Sequence, residues 1–221
     1  FYSGNPVSNP NAVLTTRHYE RFLFDTAGIF HEALWSTLRI GLVTTIISLL
    51  IGYPLALIYL DASPRLQRVL IFIIVMPLLL SVVVRTFAWI VVLGREGVVN
   101  TLLMQLGIIS EPLRLLQTEL GLVISLTQIE MPLMLLPLIS VMSRLDPNLR
   151  DASSALGASR WRTLFKVIVP LSMPGLVAGC LLVFIPAVGE FVIPDLLGGT
   201  ETLMIGKVLW DEFFTNGDWP L

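Results

Sequence analysis

Residues 151–170 read DASSALGASRWRTLFKVIVP. Three cations and one carboxylate sit here between two apolar runs, QIEMPLMLLPLISVM at 128–142 and LSMPGLVAGCLLVFIPAVG at 171–189. A charged, organised stretch joining two runs of that length implies helices crossing a membrane on either side of it. A hydrocarbon core of about 30 Å needs about 20 helical residues at 1.5 Å each. Four segments meet that length: about 34–60, 69–93, 121–142 and 167–193.

Composition agrees with this reading. The 221 residues are 55% hydrophobic and 14% charged, with mean hydropathy +0.82, outside the usual range of soluble domains. Neither strand alternation nor an internal repeat competes. The expected fold class is all-α, a polytopic transmembrane helix bundle, and residues 1–221 read as a single transmembrane domain.

Charge gives the orientation, because short loops rich in Lys and Arg stay in the cytoplasm. Segments 61–68 and 143–166 hold Arg65, Arg68, Arg144, Arg150, Arg160, Arg162 and Lys166 against Asp61, Asp146 and Asp151. The remaining connections, 1–33, 94–120 and 194–221, hold five basic and eleven acidic residues. The expected layout is therefore an outer arm at 1–33, a cytoplasmic loop at 143–166 and an outer C-terminal stretch at 194–221. Tyr19, Phe22, Phe24, Phe30 and Trp35 precede the first span and read as anchors at the headgroup level. Pro54, Pro77, Pro132, Pro137, Pro170, Pro174 and Pro186 fall within or at the spans and predict kinks. Cys180 is the single cysteine, so no intrachain disulfide can form.

The cytoplasmic loop carries local signals of its own. Asp146 followed by Pro147 forms an N-cap and first-turn pair, and Gly157 is a natural stop, which predicts a short helix over 147–156. Ser159 caps a second helix that runs through Trp161, Leu164 and Phe165 into the last span. A positive-inside loop needs none of this organisation.

The spacing resembles the loop shared by membrane subunits of binding-protein-dependent ABC importers, whose pattern is E-A-A, three residues, G, nine residues, I-x-L-P. Asp151, Ala152 and Ser153 stand on E-A-A, Gly157 on G, and Val167, Val169 and Pro170 on I, L and P, without a gap. Asp for Glu, Ser for Ala, and Val for Ile and Leu are the departures. Within that family, LLVFIPAVGEFVIPDLLGGTETLMIGKVLWDEFFTNGDWP at 181–220, IGYPLA at 51–56 and VVVRTFAWIVVL at 82–93 are similar to the polyamine importers, nearest to the putrescine-type permease.

The resemblance implies a type I ABC importer permease fold of six spans. Four lie in this sequence, one is expected before Phe1 and one after Leu221. It implies a multi-pass location in the bacterial inner membrane. The expected partners are a sister permease, a cytoplasmic ATPase dimer and a periplasmic polyamine-binding protein. No cofactor belongs to this chain, since ATP and Mg would sit on the ATPase. Asp151, Ala152, Ser153, Ala155, Leu156 and Gly157 inherit the role of coupling to that ATPase.

Polyamine transport makes its own chemical demands. The substrate is a methylene chain with terminal ammonium groups, which calls for carboxylates and aromatic faces. Ionisable groups in a span cost about 2.5 to 3.5 kcal/mol at its centre on insertion scales and are functional candidates by default. Glu130 lies nine residues into its span, about 14 Å deep. It reads either as part of the substrate path, or as a structural pair for Arg85 or a partner for a carbonyl freed near Pro132. Glu190 and Asp195 stand at the outer end of the last span, and Phe87 and Trp89 follow Arg85 in the second. Together these five form the candidate substrate path, with packing and a wetted helix end as the competing readings.

Enzyme readings find no support: His18 and His31 lie apart in the outer arm, and neither a G-x-S-x-G elbow nor an H-E-x-x-H helix occurs. GGTETLMIGKV imitates a phosphate loop, but Glu201 stands on its first glycine and Val208 on its Ser or Thr. No metal site is expected, and no basic patch suggests nucleic acid. The competing functions are an importer of another substrate, such as a ferric ion or a small organic anion, and an ATPase-independent transporter or channel.

Overall fold

Apolar side chains on nearly every face let Ile29–Asp61 (α1) run as one helix of 33 residues, continuous through Pro54. A computed structural model describes residues 28–146, 148–199 and 202–215. In chain order α1 is followed by Pro64–Val75 (α2), Val82–Leu93 (α3), Val98–Gln105 (α4), Glu119–Met142 (α5), Asn148–Ala155 (α6), Arg160–Gly189 (α7), Val192–Leu197 (α8) and Ile205–Trp210 (α9). Among the described residues, α1, α5 and α7 are long and apolar enough to cross a membrane. The broken pair Pro64–Leu79 and Val82–Gln105 makes a fourth if counted as one span.

That break differs from the single span expected over 69–93. Ser63 opens α2, with Pro64 in its first turn. The helix tightens into a 3₁₀ turn at Met76–Leu79 around Pro77, and Leu80 is extended at φ −89°, ψ 141°. Pro77 lacks the N–H and crowds the preceding turn. The last span differs too: α7 begins at Arg160, passes a π-helical turn at Leu164–Ile168 and ends at Gly189, so 190–193 leave the long helix. The expected outer arm loses its last residues to α1. Phe30, expected at the headgroups, is 5% exposed and packs with Ala33 and Val208. Tyr19, Phe22 and Phe24 lie outside the described residues.

The chain divides into two units. One comprises the chain up to Gly41, Val82–Ser125 and Ala187 onward. Here α8 packs against α3. The Thr37 hydroxyl donates to the Ala33 carbonyl at 2.6 Å and accepts the N–H of Ile205 at 2.8 Å, which fixes the start of α9 on α1. Arg39 pairs with Glu119. Buried Asn100 ties the 106–113 connection to α4, donating to the carbonyls of Gly94 and Leu113 at 3.0 Å and accepting the Leu113 N–H at 2.8 Å.

The other unit comprises Leu42–Ser81 and Leu126–Pro186. Its core joins Ala56 of α1, Met134, Leu135 and Leu138 of α5, and Val183 of α7. Small residues permit the close approach, as in membrane helix packing generally. A Cβ on Gly179 would meet Met134 Sδ at 2.9 Å and the Met134 carbonyl at 3.0 Å, and one on Gly175 the Pro137 carbonyl at 2.9 Å. Tyr53 and Ser172 share a hydroxyl hydrogen bond of 2.9 Å.

Candidate functional site

The helix expected over 147–156 forms as α6, Asn148–Ala155. Asp146 Oδ1 accepts the N–H of Asn148 at 2.9 Å, satisfying one of the donors a helix start leaves open; Pro147 lies outside the described residues. At the other end Gly157 has φ +78°. Its N–H reaches the Ser154 carbonyl at 2.9 Å and that of Ala158 the Ser153 carbonyl at 3.1 Å, the paired bonds of a Schellman stop. Ser159 then caps α7, accepting the Arg162 N–H at 3.3 Å. Ser153 bonds Thr163 at 2.8 Å, clasping α6 to the beginning of α7.

This framework turns part of the loop outward. Asp151, Ala152 and Ala155 are exposed, and Leu156 is 89% exposed. Trp161 and Phe165, 71% and 62% exposed, lie nearly parallel with centroids 6.0 Å apart. A cavity of about 600 Å³ opens beside α6, lined by Leu57, Asp61, Asp151, Ser154, Arg160 and Thr163 among others. Apolar side chains presented this openly on a polar loop are suited to a protein partner.

The candidate path residues are distributed between the units. Glu130 is 6% exposed and sits on α5 in the second. Glu190, Asp195, Phe87 and Trp89 all belong to the first, where the packing of α8 on α3 brings together the helices that carry or adjoin them. Glu190 sits in the short gap before α8. Its Oε1 accepts the N–H groups of Val192 at 3.0 Å and Ile193 at 3.4 Å, so the carboxylate caps a helix start. Asp195 is paired with Lys207 at 3.0 Å. Phe87 is 54% exposed and Trp89 half-buried.

Two features escaped the sequence reading. Lys207, read only as the end of an imitation phosphate loop, is the partner of Asp195; its being the one cation in 194–221 was the available signal. A run of aromatic rings also forms: Phe191 stacks on Trp210 at 4.4 Å, and Trp210 meets Phe214 at 4.2 Å. The four-residue spacing of Trp210 and Phe214 hinted at half of it.

Comparison with known proteins adds to this geometry. The family described as "Binding-protein-dependent transport system inner membrane component" matches residues 27–221. The chain is 41% identical over 192 residues to the spermidine/putrescine transport system permease protein PotB of Haemophilus influenzae, covering 87% of this chain and 67% of that one. To PotB of Salmonella typhimurium (strain SL1344) it is 35% identical over 220 residues, covering 100% of this chain and 76% of that one. Among solved structures, a bacterial alginate ABC transporter in complex with an alginate pentasaccharide-bound periplasmic protein matches with TM-score 0.70 at 16% identity, covering 91% of this chain and 75% of that one. That match is a likeness of fold.

Proposed function

Since the chain belongs to the family of binding-protein-dependent transport system inner membrane components, we propose that it works as the permease of an ATP-driven importer of polyamines, in the putrescine and spermidine class. It is a multi-pass protein of the inner membrane and a transport subunit. On this reading a sister permease completes the path, a periplasmic binding protein delivers the cation, and a cytoplasmic ATPase dimer holds the ATP and Mg. The chain itself carries no cofactor.

The observation that carries the reading is the build of α6. A helix capped at Asp146, stopped at Gly157 and clasped through Ser153 and Thr163 leaves Asp151, Ala152, Ala155 and Leu156 exposed, and on this reading they face the cytoplasm. α7 continues from it as a helix of 30 residues. A push from a closing ATPase on α6 would thus be delivered to a membrane-spanning element through one short, hydrogen-bonded turn. Substrate class rests on the similarity to the PotB proteins and on chemistry. Glu130, Glu190 and Asp195 supply carboxylates, and Phe87 and Trp89 supply rings, as the ends and stem of a polyamine require.

The test is uptake by the complete transporter in proteoliposomes, with binding protein outside and ATP inside. Radiolabelled putrescine and spermidine should accumulate, and unlabelled ferric ion or small organic anions should not compete. Accumulation without ATP would favour an ATPase-independent carrier, and competition by an anion would overturn the substrate class.

A further inference from the structure

The rings near α9 border a cavity. Phe191 and Trp210 lie nearly parallel, 12° between planes and 4.4 Å between centroids. Trp210 meets Phe214 at 4.2 Å and 35°, and Phe214 meets Phe213 edge to face at 5.0 Å and 69°. Next to this run lies a cavity of about 440 Å³, lined by Trp210, Phe213, Phe214, Glu212, Gly189 and Gly206 among others. Its size falls in the range of small-molecule sites, roughly 300–1,000 Å³.

Two glycines stand in the cavity wall. A Cβ on Gly206 would come within 2.9 Å of the Glu190 carbonyl, so the backbone at 189–190 lies directly against α9. A Cβ on Gly189 would meet nothing within 4 Å and would stand in open space. Trp210 and Phe214 remain 42% and 59% exposed in spite of their mutual contacts.

An anchor belt at the headgroup level would place rings against lipid, with no need to surround a cavity that has a carboxylate in its wall. Ring faces carry negative potential and attract cations. Glu212 adds charge of the same sign. In sequence, the stretch 194–221 holds five acids and one base. An anion would be repelled and a neutral apolar molecule would gain nothing from Glu212.

We infer that this cavity is a receiving site for an alkylammonium group, with Trp210, Phe213 and Phe214 facing the methylenes and cation and Glu212 supplying charge. The inference rests on the polyamine reading above and adds to it the place where the cation first meets this chain.

The test uses the complete transporter with its full-length subunits in proteoliposomes and labelled 1,4-diaminobutane at limiting concentration. Phe214→Leu and Trp210→Leu keep an apolar side chain and remove a ring; each should lower uptake about three- to thirtyfold, the range expected for loss of a cation–π contact. Trp210→Phe should retain most of the rate. Gly189→Leu should fill the cavity and block uptake, while Gly189→Ala should spare it. Binding-protein-stimulated ATP hydrolysis, measured on the same preparations, should persist in all of them. If a ring variant fails to assemble, Gly189→Leu decides alone. Wild-type uptake in Gly189→Leu and Phe214→Leu would overturn the site and leave the polyamine reading standing. Failure of the wild-type transporter to move diamines or triamines would overturn both.

Discussion

Asn100 uses both amide hydrogens and its oxygen on backbone groups, at 2.8 to 3.0 Å, while fully buried. Asn100→Leu fills similar space and removes all three bonds: the Leu113 carbonyl and N–H lose these partners, while the Gly94 carbonyl keeps the Gly97 N–H at 2.9 Å. At about 1 kcal/mol per neutral bond, with a further penalty for buried groups left unmet, the loss should be about 3 kcal/mol. Thermal unfolding of the purified protein in detergent would read it as a lowered midpoint, and an unchanged midpoint would contradict the role. Glu190 separates charge from shape. Glu190→Gln keeps an oxygen for the N–H groups of Val192 and Ile193, so assembly should be normal; loss of the charge should lower diamine uptake about tenfold, the effect of about 1.4 kcal/mol in a charge-assisted contact. Glu190→Ala should also cost about 1 kcal/mol of stability through the lost cap. Equal uptake by Glu190→Gln and wild type would leave Glu190 a cap only.

At the scale of elements, α6 makes the sharpest claim. Gly157 at φ +78° occupies a conformation in which a β-branched residue is strained. Gly157→Val should misdirect the chain between α6 and α7 and abolish co-purification of the ATPase, whereas Gly157→Asn, which tolerates that region, should retain much of it. Leu156→Asp alters a side chain that touches little of its own chain. Its effect on stability should stay within about 0.5 kcal/mol, yet ATPase docking should weaken at least about tenfold. Normal docking in both Gly157→Val and Leu156→Asp would end the coupling assignment. These ends of helices were legible because caps and stops are local chemistry, written in Asp146, Gly157 and Ser159 within a few residues. The prolines, read as kinks, did not mark where a helix would stop. α1 runs on through Pro54, α5 through Pro132 and Pro137, and α7 through Pro174 and Pro186, yet the chain breaks beside Pro77. Tertiary support decides which proline breaks a helix, and a single sequence does not write that down. The same holds for Phe191 with Trp210 and Asp195 with Lys207, pairs nineteen and twelve residues apart that meet only once α8 and α9 have turned.

For the whole molecule, the charge pattern predicts an orientation that chemistry can check. In a Cys180→Ala background, Leu106→Cys, at an exposed position between α4 and α5, should react with a membrane-impermeant maleimide added to intact cells. Ser154→Cys, exposed on α6, should react only after the membrane is opened. The reverse pattern would invert the reading of Arg144, Arg160, Arg162 and Lys166 as the cytoplasmic side. It would also put the aromatic cavity near α9 out of reach of a periplasmic delivery protein.

Biosynthesis inherits a constraint from the packing of α8 on α3. The ribosome completes Val82–Leu93 about 100 residues before Val192–Leu197 exists, a delay of roughly 5 to 20 s at ordinary rates of elongation. Throughout that interval the N–H groups that open α3 after the break at Met76–Leu80 lack helical partners, and hydrocarbon offers none. Until α8 emerges, the face of α3 that it covers has no protein partner from that element. Settling of this part of the chain is thereby timed by translation of its far end.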